Sequence, residues 1–582
     1  MTDAVYDPHP SAGFDRTAVT VPPASGASRA LERGKARLVI LGAVFVMGFA
    51  AVSARLVDAM VIGAEREPAT AGGRSAAALP AATRADIMDR NGILLATSVA
   101  TQSVYADPKL VIDPQDTVRK LRSVLPDINT ADLIERLMSE RRFVWVKRNI
   151  TPKQVNDINR LGLPGVYFQR EERRIYPVGN LAGHIVGFAG VDNMGLMGVE
   201  QGFDRRLKSS PEPVQLSIDV RLQHILRREI QQQIDSFNAV GGAGLIMDVR
   251  TGEVLSMVSL PDFDPNAPTA LSNEEARFNR VTLGVYESGS TFKIFNTAMG
   301  LESGKVRLGD VWDASRPISY GRFTINDFRG QNRPLNTAEV FQHSSNIGSV
   351  RIAQAVGVEA QREFLRKIGM LKPSPIELPE VGLPMVPRPW REINLMTIAF
   401  GHGMAVSPMQ LASGVAAMVN GGIMVPATIL KRRDGEPVPG ERVISPQTSD
   451  SVRRLMRLVV SAGTASTANA PGYLVGGKTG TAEKNVGRTY SQNARRSSFV
   501  GAFPMNDPRY LVYIMIDEPK GTRQSYGFAT GGWVAAPAMG RLVKQIGPLL
   551  GVQPLDEQRP EVLHAVHLDP RAPRAVQTTV AN

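Results

Sequence analysis

A serine and a lysine lie three residues apart in the stretch 286–293, where Ser290 directly follows a glycine. If Ser290 begins a helix, Lys293 lies on the same face one turn later and its amine can reach the serine hydroxyl. Burial against the start of a helix disfavours the charged form of lysine, so a neutral amine can accept the serine proton. The pair predicts a lysine-activated serine nucleophile. A single match of this kind is, however, more often an ordinary helix start.

Two further signals follow in the same half of the chain. The first is Ser344 with Asn346, and the second is Lys478-Thr479-Gly480-Thr481, which follows two glycines at the head of a predicted strand. Ser-x-Asn has little value alone, because it recurs at 236–238 and 491–493, whereas Lys-Thr-Gly occurs once. Singly, these segments would be a helix cap and an exposed strand end. The order and spacing of all three signals favour a catalytic interpretation.

In this order, the three signals resemble the signatures of the penicillin-binding, serine-type D,D-transpeptidase superfamily. Neighbouring segments agree: Phe278-Asn279-Arg280 precedes the nucleophile stretch, and Gly401-His402-Gly403 with the segment 406–411 lies between the second and third signals. The resemblance covers roughly residues 84–551.

The upstream part of the chain resembles the pedestal of class B, monofunctional penicillin-binding proteins. The segments that carry this resemblance are Asp89-Arg90-Asn91-Gly92 and Arg174-x-Tyr176-Pro177, and Ala85 stands where the family often has glycine. Overall length and the 401–411 segment favour the division-specific FtsI type. The elongation-specific type is the alternative.

The resemblance implies a role for each motif residue. Ser290 would attack a D-Ala-D-Ala carbonyl and form an acyl-enzyme, with Lys293 as general base. Ser344 would pass a proton towards the leaving amine, and Lys478 would add positive potential that keeps Lys293 neutral. Substrate binding would fall to Asn346, Thr479, Gly480 and Thr481. The backbone N–H groups of Ser290 and Thr481 would form the oxyanion hole.

Composition excludes several classes of protein. The 582 residues predict roughly two to four domains of ~150 residues. A net charge of +12 suits nucleic acid, an anionic lipid surface or an anionic polymer, but no zinc finger, RNA-binding motif or long basic run supports nucleic acid. The absence of cysteine excludes disulfides, cysteine–zinc sites and thiol catalysis. The seven histidines are scattered, so we predict no metal site and no cofactor.

An uncharged apolar run from Leu38 to Ala54 follows a basic cluster and approaches the ~20 residues that span a bilayer. Basic residues on the N-terminal side predict a cytoplasmic N-terminus and a periplasmic catalytic domain, in a protein that crosses the bacterial inner membrane once. A cleaved signal peptide is the alternative, because the small residues Val52-Ser53-Ala54 resemble a cleavage site.

The expected fold is α+β and multidomain: a transmembrane helix, an elongated mixed pedestal, and a transpeptidase domain resembling serine β-lactamases, with an antiparallel sheet flanked by helices. We expect a hairpin at Asn91-Gly92 and another flanking Arg250–Glu253. The expected segments are a disordered cytoplasmic tail at 1–36, the anchor at 37–57, a linker at 58–83, a pedestal of dimerisation type at 84–213, the transpeptidase domain at 214–551 and a C-terminal tail at 552–582.

By resemblance, the chain is predicted to cross-link stem peptides ending in D-Ala-D-Ala and to be acylated by β-lactams. A D,D-carboxypeptidase would use the same site, and the non-enzymatic alternatives are a β-lactam sensor and a divisome scaffold. A β-lactamase is less expected because no glutamate that activates water for deacylation can be assigned. A bifunctional class A enzyme is also less expected, because no glycosyltransferase segment fits between the anchor and the pedestal. The implied partners are the glycan polymerase FtsW, other divisome proteins and the inner membrane.

Overall fold

The computed structural model describes residues 84–267, 274–321, 323–486 and 489–570, together with the helical residues 42, 43 and 45–50. The chain divides into two units, residues 1–79 and 80–582. Within the described residues, no helix is both long and apolar enough to cross a membrane. The predicted tail, linker and most of the predicted anchor lie outside the described residues.

A five-stranded sheet forms the pedestal, with β2 at its centre pairing antiparallel with β1, β3 and β4. The Asn91-Gly92 turn joins β1 to β2, as predicted, and Gly92 has a positive φ of 84° that suits a residue without Cβ. The strands are β1 (Ile87–Met88), β2 (Leu94–Ala106), β3 (Val144–Ile150), β4 (Val166–Ile175) and β5 (Val214–Gln215).

Three helices cover one face of this sheet: α1 (Pro114–Val124), α2 (Thr130–Leu137) and α3 (Pro152–Leu161). Side chains of Asp113, Asn129 and Thr151 cap their N-termini and satisfy backbone N–H groups that have no partner inside the helix. Their apolar faces and the inward residues of β2 and β3 form a separate core. Members of this core are Val104, Leu121, Leu133, Val144 and Ile158.

A buried ionic cluster lies within the pedestal. The side chains of Arg84 and Glu200 are fully buried and paired, and Arg174 Nε donates to Glu200 at 2.7 Å. Arg84 also donates to Asp204 at 2.7 Å, so each charge has a partner of opposite sign. Asp89 accepts from the backbone of Ile93 at 2.9 Å within the hairpin. The family-like residues of the pedestal are therefore structural in this fold.

The second domain is organised on an antiparallel five-stranded sheet, in agreement with the expected fold. The strand order is β14-β15-β16-β6-β7, and β6 and β7 form the hairpin predicted around Arg250–Glu253. Helices α7 and α16 contact this sheet, and α14 and α15 also pack against its strands. The elements are β6 (Gly241–Asp248), β7 (Val254–Leu260), β14 (Gly476–Val486), β15 (Thr489–Phe503), β16 (Tyr510–Asp517), α7 (Val220–Ser236), α14 (Pro408–Val419), α15 (Pro446–Ala462) and α16 (Gly531–Leu549).

Helix α9 (Lys293–Glu302) is buried along almost its whole length and contacts α11 (Asn346–Val356) and α15. The other helices are α4 (Gly183–Val186), α5 (Gly198–Gly202), α6 (Asp204–Ser209), α8 (Glu274–Arg277), α10 (Thr337–His343), α11 (Asn346–Val356), α12 (Val358–Lys367), α13 (Glu392–Ile398) and α17 (Pro560–Val566). Short strand pairs join β8 (Val311–Trp312) with β11 (Leu335–Asn336), β9 (Ile318–Tyr320) with β10 (Phe323–Ile325), and β12 (Ile423–Met424) with β13 (Glu441–Arg442).

Part of the segment predicted as a C-terminal tail, 552–570, instead packs on the second domain. Helix α17 buries Val562 and Val566, which lie four residues apart and so share one face. Glu557 pairs with Arg457 at 2.8 Å, a partially buried contact. The polar and proline-rich composition is typical of a tail, and it hides this short apolar stripe.

Candidate active site

The backbone around Ser290 lies between two other chain segments. Ser290 belongs to one turn of 3-10 helix, Gly289–Phe292, which continues into α9 at Lys293. Gly289 has a φ of 54°, its N–H donates to the Gly401 carbonyl at 3.2 Å, and a Cβ on it would lie 2.6 Å from the Thr481 carbonyl oxygen. Only glycine allows this approach, so the turn that presents Ser290 is fixed by backbone contacts on both sides.

The amine of Lys293 contacts both motif serines. Nζ lies 3.2 Å from Ser290 Oγ and 3.1 Å from Ser344 Oγ, and it also donates to the Ser344 carbonyl at 2.5 Å and to Asn346 Oδ1 at 2.7 Å. The residue is 1% exposed. The spacing of Ser290 and Lys293 along one helical turn therefore brings a buried amine to a serine hydroxyl, as the sequence predicts.

A second lysine also donates a hydrogen bond to the Ser344 hydroxyl. Lys478, in β14 and completely buried, donates from Nζ to Ser344 Oγ at 2.9 Å. Ser344 ends α10 in the left-handed region, with φ 61°, which costs about 1–2 kcal/mol for a residue with a Cβ. This strained turn aims the hydroxyl between the two amines, and strain of this kind is typical of functional sites.

Burial lowers the pKa of both lysines, and repulsion from Lys478 adds to the effect at Lys293. Burial lowers the pKa of Lys293 well below its usual range, the positive charge of Lys478 lowers this pKa further, and the carboxylate of Asp327 acts in the opposite direction. Burial alone lowers the pKa of Lys478 to about 7. The environment therefore favours a neutral Lys293 beside Ser290, which is the form that can accept a proton.

Asp327 is a site residue that the sequence motifs do not reveal. Its carboxylate accepts from Ser345 Oγ at 2.7 Å and from the backbone N–H groups of Asn346 and Ile347 at 2.5 and 3.0 Å. It thereby caps the start of α11 and fixes the turn that carries Ser344. The contact joins residues 18 or more positions apart, and no local pattern marks it.

Strand β14 forms the opposite wall of the site. A Cβ on Gly480 would lie 2.8 Å from the Ser288 carbonyl oxygen and would also collide with Ser498 Oγ, so the strand can approach the Ser290 turn only with glycine here. Thr479 Oγ1 lies 3.2 Å from Thr464 Oγ1, and Thr481 Oγ1 accepts from the Gly531 N–H at 3.1 Å.

The predicted substrate-binding residues are thus arranged around the two lysines. Asn346 donates from Nδ2 to the Asn326 carbonyl at 2.8 Å while its Oδ1 accepts from Lys293. The Gly289–Thr481 approach brings the backbone of Ser290 close to that of Thr481. The oxyanion hole formed by their N–H groups, like the other assigned roles, stays a prediction.

The Gly401–Gly403 loop also contacts the turn that carries Ser290. The Gly403 N–H donates to Glu287 Oε1 at 2.7 Å, and a Cβ on Gly401 would collide with the Gly289 backbone. Burial lowers the pKa of His402 in this loop, and the nearby Glu287 carboxylate opposes that shift. The family-like Gly-His-Gly segment therefore packs against the turn that carries Ser290 and supports it. The contact of this loop with Glu287 was not predicted from the sequence.

The lowered pKa of Lys478 predicts a stability that rises with pH. Between pH 7 and pH 10 the unfolded chain binds a proton at this lysine that the folded chain does not, so unfolding becomes harder as pH increases. The slope contributed by one such group approaches ~1.4 kcal/mol per pH unit.

We expect Lys478→Met to flatten the rise of the free energy of unfolding with pH, measured by urea unfolding of the full-length protein at pH 7, 8 and 9. Lys120→Met, an exposed pedestal lysine, is the control; parallel curves for wild type and Lys478→Met would contradict the assignment.

Comparisons with known proteins identify two family domains in the chain. Residues 242–542 match the penicillin-binding protein transpeptidase domain, and residues 80–236 match the penicillin-binding protein dimerisation domain. The chain is 41% identical over 483 residues to a probable peptidoglycan D,D-transpeptidase FtsI of Caulobacter vibrioides, covering 81% of this chain and 82% of the relative. It is 31% identical over 507 residues to the peptidoglycan D,D-transpeptidase FtsI of Escherichia coli K12, covering 81% and 84%.

The fold is similar to that of a solved relative. A crystal structure of penicillin-binding protein 3 from Mycobacterium tuberculosis, complexed with ampicillin, superposes with a TM-score of 0.65 at 26% identity, covering 82% of this chain and 98% of that one. The match to the transpeptidase domain spans more than half of the chain. The alignment with the Caulobacter relative exceeds 30% identity and covers more than two thirds of each of the two proteins. With the lysine–serine site in place, the chain belongs to the family of penicillin-binding protein transpeptidases.

Proposed function

We propose that this chain is a peptidoglycan D,D-transpeptidase that cross-links stem peptides through an acyl-enzyme on Ser290. The observation that carries the proposal is the buried amine of Lys293, which contacts the hydroxyls of both Ser290 and Ser344. A neutral amine beside a serine hydroxyl is the arrangement that nucleophilic catalysis requires. Family membership supports the reaction class.

In the first half-reaction, Lys293 Nζ accepts the hydroxyl proton of Ser290, and Oγ forms a bond to the carbonyl carbon of the penultimate D-alanine. The negative charge that develops on the carbonyl oxygen is stabilised by the N–H groups of Ser290 and Thr481. The bond to the terminal D-alanine nitrogen then breaks. Ser344 lies within hydrogen-bond reach of Lys293, so its hydroxyl can relay the proton to the leaving amine.

In the second half-reaction, the amine of a neighbouring stem peptide attacks the acyl-enzyme carbonyl. The acceptor amine loses a proton through Ser344 to Lys293, and Ser290 Oγ leaves and recovers its proton. Hydrolysis by water would release the same acyl group and give a D,D-carboxypeptidase. The relatives are D,D-transpeptidases by name, which favours the amine as acceptor.

Lys478 and the threonines of β14 are the residues that we assign to substrate binding. We assign binding of the terminal carboxylate of the substrate to the hydroxyls of Thr479 and Thr481, and Lys478 would raise the positive potential near it. Asn346 accepts from Lys293 through Oδ1, which supports its role in orienting the base. A β-lactam presents a carboxylate beside a strained amide and would acylate the same serine.

The cellular role that we propose is septal wall synthesis. The two FtsI relatives support it, and by the same resemblance the partners are the glycan polymerase FtsW and other divisome proteins. We further propose that residues 37–57 anchor the chain in the inner membrane with the catalytic domain in the periplasm. The apolar run at 38–54 and the preceding basic cluster support this topology.

Acylation of Ser290 is testable with a fluorescent penicillin. We expect the full-length protein to become covalently labelled and Ser290→Ala to remain unlabelled, because the attacking oxygen is absent. Ser303→Ala, a serine just beyond the far end of α9, is the matched control and should label as wild type does. Equal labelling of Ser290→Ala would exclude the serine acyl-enzyme, and an unlabelled wild type would exclude the enzyme class.

Gly480→Ala tests the close approach of β14 to the nucleophile turn. The added Cβ would meet the Ser288 carbonyl oxygen at 2.8 Å, so the strand must move away from Ser290. Loss of one oxyanion donor typically lowers rates by ~10²–10³, and we expect a penicillin acylation rate reduced by about that factor. The control is Gly309→Ala, which has open space within 4 Å and should leave the rate unchanged. Equal rates for both variants would show that strand placement is not limiting.

Depletion in the host bacterium tests the septal role. Loss of a septal cross-linking enzyme stops constriction while elongation continues, so we expect filaments. A plasmid copy carrying Ser303→Ala should restore division and one carrying Ser290→Ala should not. Rounded cells would instead assign the chain to elongation, and rescue by Ser290→Ala would favour a scaffold without enzymatic function.

A further inference from the structure

An arginine stacked on an aromatic cluster lies at the rim of the active site. The guanidinium carbon of Arg329 is 4.8 Å from the centre of the Phe528 ring. Phe528 stacks on Trp533 with ring centres 6.3 Å apart and planes at 14°, and Tyr526 contacts the same Trp533 at 5.7 Å. Tyr526 is 78% exposed, so the cluster is open to solvent.

Arg329 is anchored to the Ser344 side of the site. Two residues before it, Asp327 accepts from the N–H of Asn346, and the carbonyl of Asn326 accepts from Asn346 Nδ2 at 2.8 Å. The short segment 326–329 is therefore bound at the turn that carries Ser344, so the position of the arginine is tied to the catalytic turn.

Phe528 is anchored to the β14 side. The carbonyl of Ala529, the next residue, accepts from Ser497 Oγ, and Gly531 N–H donates to Thr481 Oγ1 at 3.1 Å. The contact between Arg329 and Phe528 therefore joins the two sides of the site, and it does so beside the threonine proposed to bind the terminal carboxylate.

We propose that Arg329, stacked on Phe528, binds a second carboxylate of the donor stem peptide, located upstream of its D-Ala-D-Ala end. This inference rests on the proposed function and adds a subsite to it. The ligand class is a peptide donor with an acidic or dicarboxylic residue before the terminal D-alanines. The terminal carboxylate itself is assigned to Thr479 and Thr481.

The chemistry of the arginine supports an anionic ligand. The contact with the Phe528 ring uses none of the guanidinium N–H groups in a hydrogen bond, so they stay available to bind a carboxylate through two parallel hydrogen bonds. Among the described residues, Arg329 donates no hydrogen bond and forms no ion pair, in contrast to neighbouring Arg333, which pairs with Glu339 at 2.7 Å. A cation over an aromatic ring is attracted to it, and at an exposed site this favours the stacked position by roughly two- to fivefold before substrate arrives.

The test compares two synthetic donors that carry a thiolactate in place of the terminal D-alanine and so retain the terminal carboxylate. They differ only in the upstream acidic side chain, which is free in one and amidated in the other. Acylation of the full-length protein is followed by thiol release. We expect wild type to prefer the free-carboxylate donor by about tenfold, the effect of one charge-assisted contact of ~1.4 kcal/mol. Arg329→Gln should bring the ratio to about one, and Arg329→Glu should invert it.

Two further variants separate the subsite from a general charge effect. Phe528→Leu keeps the arginine but removes its platform, so we expect an intermediate ratio. Arg119→Gln removes the same charge from an exposed position on the pedestal and should keep the wild-type ratio. Wild-type acylation with an unchanged ratio in Arg329→Gln and Arg329→Glu would overturn the subsite alone. Failure of wild type to react with either donor would overturn the proposed function and the subsite with it.

Discussion

Two buried lysines share one serine hydroxyl, and the rest of the site depends on that arrangement. Lys293 and Lys478 both donate to Ser344 Oγ, at 3.1 and 2.9 Å. Burying two ammonium groups so close together is unfavourable, and the simplest relief is loss of a proton from one of them. Lys293 is the amine that reaches Ser290, so the repulsion favours a neutral base where the proposed chemistry needs one. The left-handed turn at Ser344 and the cap from Asp327 maintain this geometry.

The second constraint is the close approach of backbones around the turn that carries Ser290. Gly401, Gly289, Gly480 and Gly531 lie where chain segments meet, and at each of them a Cβ would collide with a backbone atom. The turn, the loop below it and strand β14 are thereby fixed relative to one another. Precise placement matters here because an oxyanion donor stabilises charge only within hydrogen-bond distance.

The sequence predicted features that are local and left out those that join distant segments. The hairpin at Asn91-Gly92 and the serine–lysine pair follow from short-range geometry, and both are present in the structure. The second domain's antiparallel sheet also agrees with the prediction. Asp327 could not be found, because a capping carboxylate that is remote in sequence carries no periodic signal. The packing of α17 was missed because two apolar residues in a proline-rich segment give too little amphipathic pattern.

The glycine contacts also determine where this family member can vary. A backbone contact cannot be adjusted by exchanging one side chain for another, so a side chain at Gly289 or Gly480 would force the Ser290 turn and strand β14 apart whichever acyl donor is bound. Discrimination between a wall peptide and an inhibitor therefore has to evolve at residues outside these glycine backbone contacts. The exposed aromatic rim around Tyr526 offers such positions, since side chains there can change while the inner backbone stays the same. Selection by β-lactams would accordingly act on the rim and leave the glycines unchanged.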